Sequence, residues 1–419
     1  MENKGKQGNY EFKAVLLLAL GFGLVGFDRF MIIPLFPALQ SALHLNYQEL
    51  GYITGILSIT WGIASAVTGR IADRIGPHRV VAGALFIFSI LVSFHGLAVG
   101  LGSLLLIRAL MGFFEGAYSP AAVVATLEAS DKSRHGRNVG LQQACLPLFG
   151  LAIAPIVVTQ LLPILGWRGI FPIVTVPGII LAVLIWRTLR DPDAKVLAEQ
   201  TVTRDVAPHR WREMFAYRNV WINAVTMLCW VNCMVVVSAM IPNYLVDYLH
   251  IATGQMGFIL SAIGFGASLG IFGLLSLSDR IGRKPVMIIG VLGAGLSLTL
   301  LKQVGPQPAL LFIFLFFTHF FNCGLGVLTL GPLTTEAVPA RLMATASGLV
   351  IGVGEVFGGG VAPVIAGFVA QHFGIQHILD LALVGLAVGA VLVLGLQETA
   401  SVVLSRRRPK IEINRPDEI

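Results

Sequence analysis

Four charged residues stand in stretches of sequence too apolar to solvate them: Asp28 with Arg29, and Arg108 with Glu115. A charged side chain at the centre of a membrane helix costs about 2.5–3.5 kcal/mol on insertion scales. A chain that keeps four of them there has a use for them. Arginine holds its charge permanently and offers a planar fork that matches a carboxylate. A carboxyl group shielded from water and set near an arginine can gain and lose a proton. Seven residues make nearly two helical turns, which puts Arg108 and Glu115 on one face about 10 Å apart, while Asp28 and Arg29 point roughly 100° apart. The chemistry on offer is capture of an organic anion coupled to protons. The plainer alternative is a set of buried ion pairs that holds a helix bundle together.

The elements that must position these residues are membrane helices. Of 419 residues, 56% are hydrophobic and only 12% are charged, whereas soluble domains carry about 25% charged residues. Twelve apolar stretches are long enough to cross a hydrocarbon core, which takes roughly 20 residues per helix. They begin near Ala14, Glu49, Val80, Ser103, Asn138, Trp167, Val220, Gln255, Val286, Pro308, Met343 and Ile375; they are called here spans 1 to 12. All but four of the 29 Lys and Arg fall in the N-terminal tail, the even-numbered loops or the C-terminal tail. The exceptions are Arg29 and Arg108 inside spans and Arg168 and Lys302 on the opposite side. Positive residues stay cytoplasmic, so both termini and the Leu189–Arg218 loop are expected inside, and the net charge of +7 reflects topology and not nucleic-acid binding. Arg406, Arg407 and Arg408 suit anionic lipid headgroups. The polar, charged N-terminus is not expected to be a cleavable signal.

The chain repeats itself. Leu50-Gly51-Tyr52-Ile53 and Asp73-Arg74-Ile75-Gly76 return 206 residues later as Met256-Gly257-Phe258-Ile259 and Asp279-Arg280-Ile281-Gly282. At an offset of 208, Ile33-Pro34 answers to Ile241-Pro242, Glu128 to Glu336, and Ala154-Pro155 to Ala362-Pro363. Two homologous six-helix bundles are therefore expected, at 1–189 and 218–419, joined by a cytoplasmic loop at 190–217. Repeated bundles are the build of secondary carriers, which hold the solute near the midplane between them. The repeat also tests the ion-pair alternative. At the 208 offset Asp28 and Arg29 become Val236 and Val237, and Arg108 and Glu115 become Phe316 and Cys323. The second half keeps the scaffold and drops every one of these charges, which favours function over packing.

Gly69-Arg70-Ile71-Ala72-Asp73-Arg74-Ile75-Gly76-Pro77-His78-Arg79 resembles the major facilitator superfamily signature between the second and third helices, and the copy ending in Gly282-Arg283-Lys284 is similar to that family's second copy. The resemblance covers roughly Ala14 to Gln397 and implies the all-α, twelve-helix fold of that superfamily. Within it, Gly26-Phe27-Asp28-Arg29, the run from Arg108 to Glu115-Gly116, and Gly166-Trp167-Arg168 resemble the anion:cation symporter branch. That branch includes bacterial sugar-acid and phthalate carriers, sialin and the vesicular glutamate transporters. The likeness implies proton coupling at Asp28 and Glu115 and carboxylate binding at Arg29 and Arg108. It also implies gating by Asp73, Arg74, Asp279 and Arg280. Leu24-Val25-Gly26-Phe27 before Asp28 departs from the branch's usual Asn-Tyr-x-Asp-Arg.

Softer candidates for the cavity wall are Trp61, Gln142, Asn232, His319 and Asn322, each of which could equally serve an interhelical hydrogen bond. Glu355 in span 11 has no settled role; a pairing with His319, a proton site or contact with water are all open. Cys145, Cys229, Cys233 and Cys323 lie in spans and read as packing residues. No P-loop and no metal-spaced His/Cys set occurs, so no ATP, metal or cofactor is expected, and no enzymatic reaction. The reading is a proton-coupled symporter of a small organic anion, a monomer in a bacterial inner membrane. Its first rival is a proton-driven drug antiporter of the same fold, which Ala154-Pro155 in place of the antiporter Gly-Pro argues against. The second is a non-transporting nutrient sensor.

Overall fold

The computed structural model describes residues 2–131, 134–189, 211–214, 216–339, 342–400 and 403, apart from the side chains of 2–8, 66–67, 69–74, 211–212 and 344. Among these residues the protein is all helix, with no strand. Ten helical runs are long and apolar enough to cross a membrane. One of them, His135–Thr188, has 54 residues and breaks at Gly166, whose φ of 62° and ψ of 169° leave the helical region; it supplies spans 5 and 6. Span 2, Tyr47–Ile75, completes the expected twelve. The protein is a multi-pass integral membrane protein, and its outward faces carry the bare apolar side chains that lipid requires, such as Leu106, Val176, Leu292 and Val391.

Tight reversals join the spans where the repeated motif requires them. Gly76 (φ 93°) ends span 2 and Gly282 (φ 106°) ends span 8, conformations that L side chains rarely adopt. Proline opens spans 3 and 10, at Pro77 and Pro308, where its missing N–H has no helical partner to lose. Spans 5 and 11 are each interrupted at the same point of the repeat by a π-helical turn, Leu148–Ile153 and Gly354–Val361.

The first six spans and the last six pack among themselves and meet along two seams, span 2 against span 11 and span 5 against span 8. Glycines set the approach. A Cβ on Gly51 would stand 2.4 Å from the Pro363 carbonyl oxygen, and one on Gly264 would stand 2.1 Å from the Ala152 nitrogen. Backbones come this close only where small residues allow it. Within the second half, Gly266 and Gly270 of span 8 press in the same way on the carbonyls of Phe316 and Phe320.

Polar bonds close the end of the seams opposite the termini. Tyr47 Oη donates to Asp247 (2.8 Å), Asn243 Nδ2 to Gln40 (2.7 Å), the Tyr47 amide to Gln371 (3.2 Å) and Gln160 Nε2 to the Gly254 carbonyl (3.3 Å). At the terminal end, two polar clusters each lie within one half. Glu11 accepts from Arg134 and Asn138. Arg283 donates to Asp279 (2.5 Å) and Glu336 (2.9 Å).

Glu398 caps span 9 from a distance. Its carboxylate accepts the backbone N–H groups of Arg283 (2.9 Å) and Lys284 (3.1 Å), in the first turn of Arg283–Gln303, and that of Ala400 (2.9 Å). These are donors that a helix cannot satisfy internally. Burial pushes the Glu398 carboxyl up, but the backbone donors outweigh it, and the group lies below its ordinary 4.5. A lowered carboxyl contributes stability above its unfolded-state value and loses it as pH falls through the folded value. Glu398→Ala is therefore expected to lower thermal stability at pH 7 by on the order of 1 kcal/mol. The gap to wild type should close on acidification below the usual carboxylate range, as read by melting curves across pH.

Candidate functional site

Span 1, part of the helical run Asn9–Leu43, is interrupted before helix resumes at Phe36–Leu43. Its regular helix, Glu2–Phe30, gives way to a turn and a short 3-10 segment, Ile33–Leu35, with Pro34 enforcing the break. The break leaves carbonyls without helical donors, and Arg108 of span 4 supplies one. Its Nη1 donates to the Arg29 carbonyl at 3.1 Å and its Nε to the Ile53 carbonyl at 3.4 Å. A cation at a helix C-terminus is also favoured by the helix dipole. Non-helical backbone at membrane depth is tolerated where protein or a cavity satisfies it, and both are present here.

The cavity is small, about 10 Å³, close to the space that one water takes. Spans 1, 2 and 4 line it with Arg29, Phe30, Thr54, Leu57, Ser58 and Arg108, and span 7 faces them with Met234, Val235 and Ser238. Cationic donors therefore stand on the first half's wall, and the second's combines two apolar side chains with the unpartnered Ser238 hydroxyl. The Arg29 guanidinium lies over the Trp61 ring, 4.5 Å from its centroid, an arrangement in which the ring face attracts the cation. Its Nη2 donates to Ser58 Oγ at 3.1 Å and reaches Glu355 Oε2 at 3.4 Å.

Asp28 and Glu115 do something different. Both are buried, and neither carboxylate has a hydrogen-bond partner within the protein. Glu115 lies within electrostatic reach of Asp28, Arg108 and Arg29, yet no described ion pair joins either acid to either arginine. The arginines bond to carbonyls, Ser58 and Glu355 and leave the two acids bare. Adjacent in sequence, Asp28 and Arg29 thus serve opposite surroundings, as the 100° between them requires.

The other candidates divide. Trp61 belongs to the site. Glu355, which the sequence left between three roles, pairs with Arg29 and not with His319. The structure does not bring the remaining ones to this cavity. Gln142 is buried and accepts from Thr126 at 2.9 Å. Asn322 donates to the Trp230 carbonyl at 2.9 Å. His319 bonds through Nδ1 to the Leu315 carbonyl at 3.1 Å and keeps an unpartnered Nε2. Asn232 lies against Gly358 and Gly385, inside the second half. Of the gating set, Asp279 pairs with Arg283 and Arg280 is exposed; the side chains of Asp73 and Arg74 lie outside the described residues. Thr54, Ser58 and Ser238 are lining residues that sequence reasoning missed. A signal existed for two of them, since Thr54, Ser58 and Trp61 recur at helical spacing on one face of span 2.

Two six-helix halves with a charged cavity between them make the architecture of a carrier. The chain belongs to the Major Facilitator Superfamily: the family's profile matches residues 18–244 and again 231–417. A putative metabolite transport protein of Haemophilus influenzae is 26% identical over 396 residues, covering 90% of this chain and 93% of that protein. The sialic acid transporter NanX of Escherichia coli is 23% identical over 397 residues, with coverage of 91% and 92%. In fold, the chain is similar to a bacterial homologue of the human lysosomal transporter Spinster, solved inward-facing and unoccupied, with a TM-score of 0.79, 17% identity, and coverage of 96% of this chain and 99% of that one.

Removing one partner of a bonded buried ion pair costs about 3–5 kcal/mol. Asp28 and Glu115 have no such bond, so Asp28→Asn and Glu115→Gln are expected to change unfolding stability by less than about 1 kcal/mol. Melting of the purified variants at neutral pH measures this, and a loss of several kcal/mol would make the acids structural.

Proposed function

We propose that this transporter is a proton-coupled symporter of a small organic anion that works by alternating access. The observation that carries the reading is the pairing of Arg29 and Arg108 on one wall of the cavity with Met234 and Val235 on the other. Arginine forks suit a carboxylate, and an apolar wall suits the carbon body attached to it. That the relative NanX is named a sialic acid transporter supports an acid as the cargo.

The coupling follows from the two bare acids. A proton on Asp28 or Glu115 avoids the cost of an unpaired charge held away from water. It also removes a negative charge that would compete with an arriving anion for Arg29 and Arg108. Protonation, anion capture and the inward swing of the halves then form one sequence, and release of both passengers resets the carrier. Asp73, Arg74, Asp279 and Arg280 would break and remake contacts at the terminal end during that swing, with Arg283 joining them through Asp279 and Glu336. The carrier would sit in a bacterial inner membrane with both termini in the cytoplasm, act as a monomer, and use the 190–217 segment to join its halves.

The test is transport in proteoliposomes with radiolabelled carboxylates. Glu115→Gln is expected to abolish uphill accumulation driven by a pH gradient and to retain exchange of carboxylate for carboxylate. Uphill accumulation by this variant would remove Glu115 from the coupling. Arg108→Ala is expected to lose thermal stabilisation by the transported acid, an effect that mass action gives to any ligand of the folded state. Stabilisation of the wild type by lipophilic cations and by no carboxylate would return the drug-antiporter reading.

A further inference from the structure

Glu355 holds an ion pair between the two halves, with its Oε2 3.4 Å from Arg29 Nη2. It comes from span 11, in the π-helical turn Gly354–Val361, a local widening of the helix that is frequent at functional sites. Gly359 keeps room for the carboxylate, since a Cβ there would stand 3.1 Å from Oε2.

We propose that Glu355 is a tethered stand-in for the cargo's carboxylate: it occupies Arg29 in the empty carrier, and an arriving anion displaces it. The proposal rests on the organic-anion reading of the cavity. The group is chemically the one that the cargo would bring, on the same guanidinium that lines the cavity. The contact is long and uses one nitrogen, whereas a good charge-assisted pair runs to about 2.7–2.9 Å and is often bidentate. Both described hydrogen bonds of the Arg29 fork leave from Nη2, so among the described residues its other donors have no hydrogen-bonded acceptor. Glu355 also has somewhere to go: its side chain is 21% exposed, while Asp28 and Glu115 are enclosed.

Two properties of the carrier follow. A neutral solute cannot replace a carboxylate on Arg29, because displacement would leave two uncompensated charges, so Glu355 selects for anions. Because the pair joins span 1 to span 11, the same displacement removes a bond between the halves, and cargo binding itself loosens the contact that must change when the halves rock.

The experiment is thermal stabilisation of the purified full chain by sodium acetate against sodium chloride at equal ionic strength and pH 7.5. A tethered competitor lowers apparent affinity by the fraction of time that it vacates the site. Glu355→Gln and Glu355→Ala are expected to bring the half-saturating acetate concentration down roughly tenfold from wild type, and the gain should vanish when Arg29→Gln is added. If Glu355→Ala fails to fold, the isosteric Glu355→Gln gives the same reading. An acetate response indifferent to Glu355, or one that survives Arg29→Gln, overturns the proposal. Carboxylate uptake by the wild type without a Glu355-dependent acetate response overturns this proposal alone. A Glu355-dependent response with no carboxylate uptake supports the competition at Arg29 and overturns the transport reading.

Discussion

A guanidinium that cannot shed its charge stands between two apolar half-proteins, and the site is arranged around that constraint. Arg29 sits in the last turn before span 1 is interrupted, where lipid could satisfy neither its charge nor the freed carbonyls. The protein answers with a ring face from Trp61, a hydroxyl from Ser58, a carboxylate from Glu355 and a second arginine bonded to Arg29's own carbonyl. Arg108 thereby ties span 4 to the broken end of span 1. The position of one charge thus depends on that of the other, and the cavity is the space left between them and span 7.

The duplicated chain divides its labour. The first half supplies the charged wall, whereas the second presents Met234, Val235 and Ser238 to the cavity and directs Asn322 and Trp230 toward interhelical bonds. Glu355 is the exception, reaching out of the second half to the first half's arginine. An anion between these walls would meet donors on one side and apolar surface on the other, which suits a carboxylate on an organic body.

The contacts between the halves are unevenly distributed. At the end away from the termini, glycines let spans 2 and 11, and 5 and 8, touch backbone to backbone, and four hydrogen bonds cross the seam there. At the terminal end, the described ion clusters brace each half separately. Arg283 and Glu398 lock the turn at Gly282, so each half holds its shape there as a unit. The alternating access proposed above would draw on this distribution, with bracing inside a half and few polar bonds between halves.

Much of this was legible in the residues. Span number, the duplication, the tight turns at Gly76 and Gly282 and the four intramembrane charges all follow from local rules: apolar length, repeated motifs, the conformations open to glycine and the cost of charge in lipid. Those rules concern a residue and its near neighbours, and the sequence displays both. Partners across the fold were not legible. That Arg29 turns to Glu355, 326 positions away, that Asp28 and Glu115 remain bare, and that Gln142 and Asn322 bond within their own halves depend on which faces of distant helices meet. Helical spacing shows which residues share a face; only the packed bundle decides what that face touches, because contacts between spans are set by shape and close approach over the whole molecule.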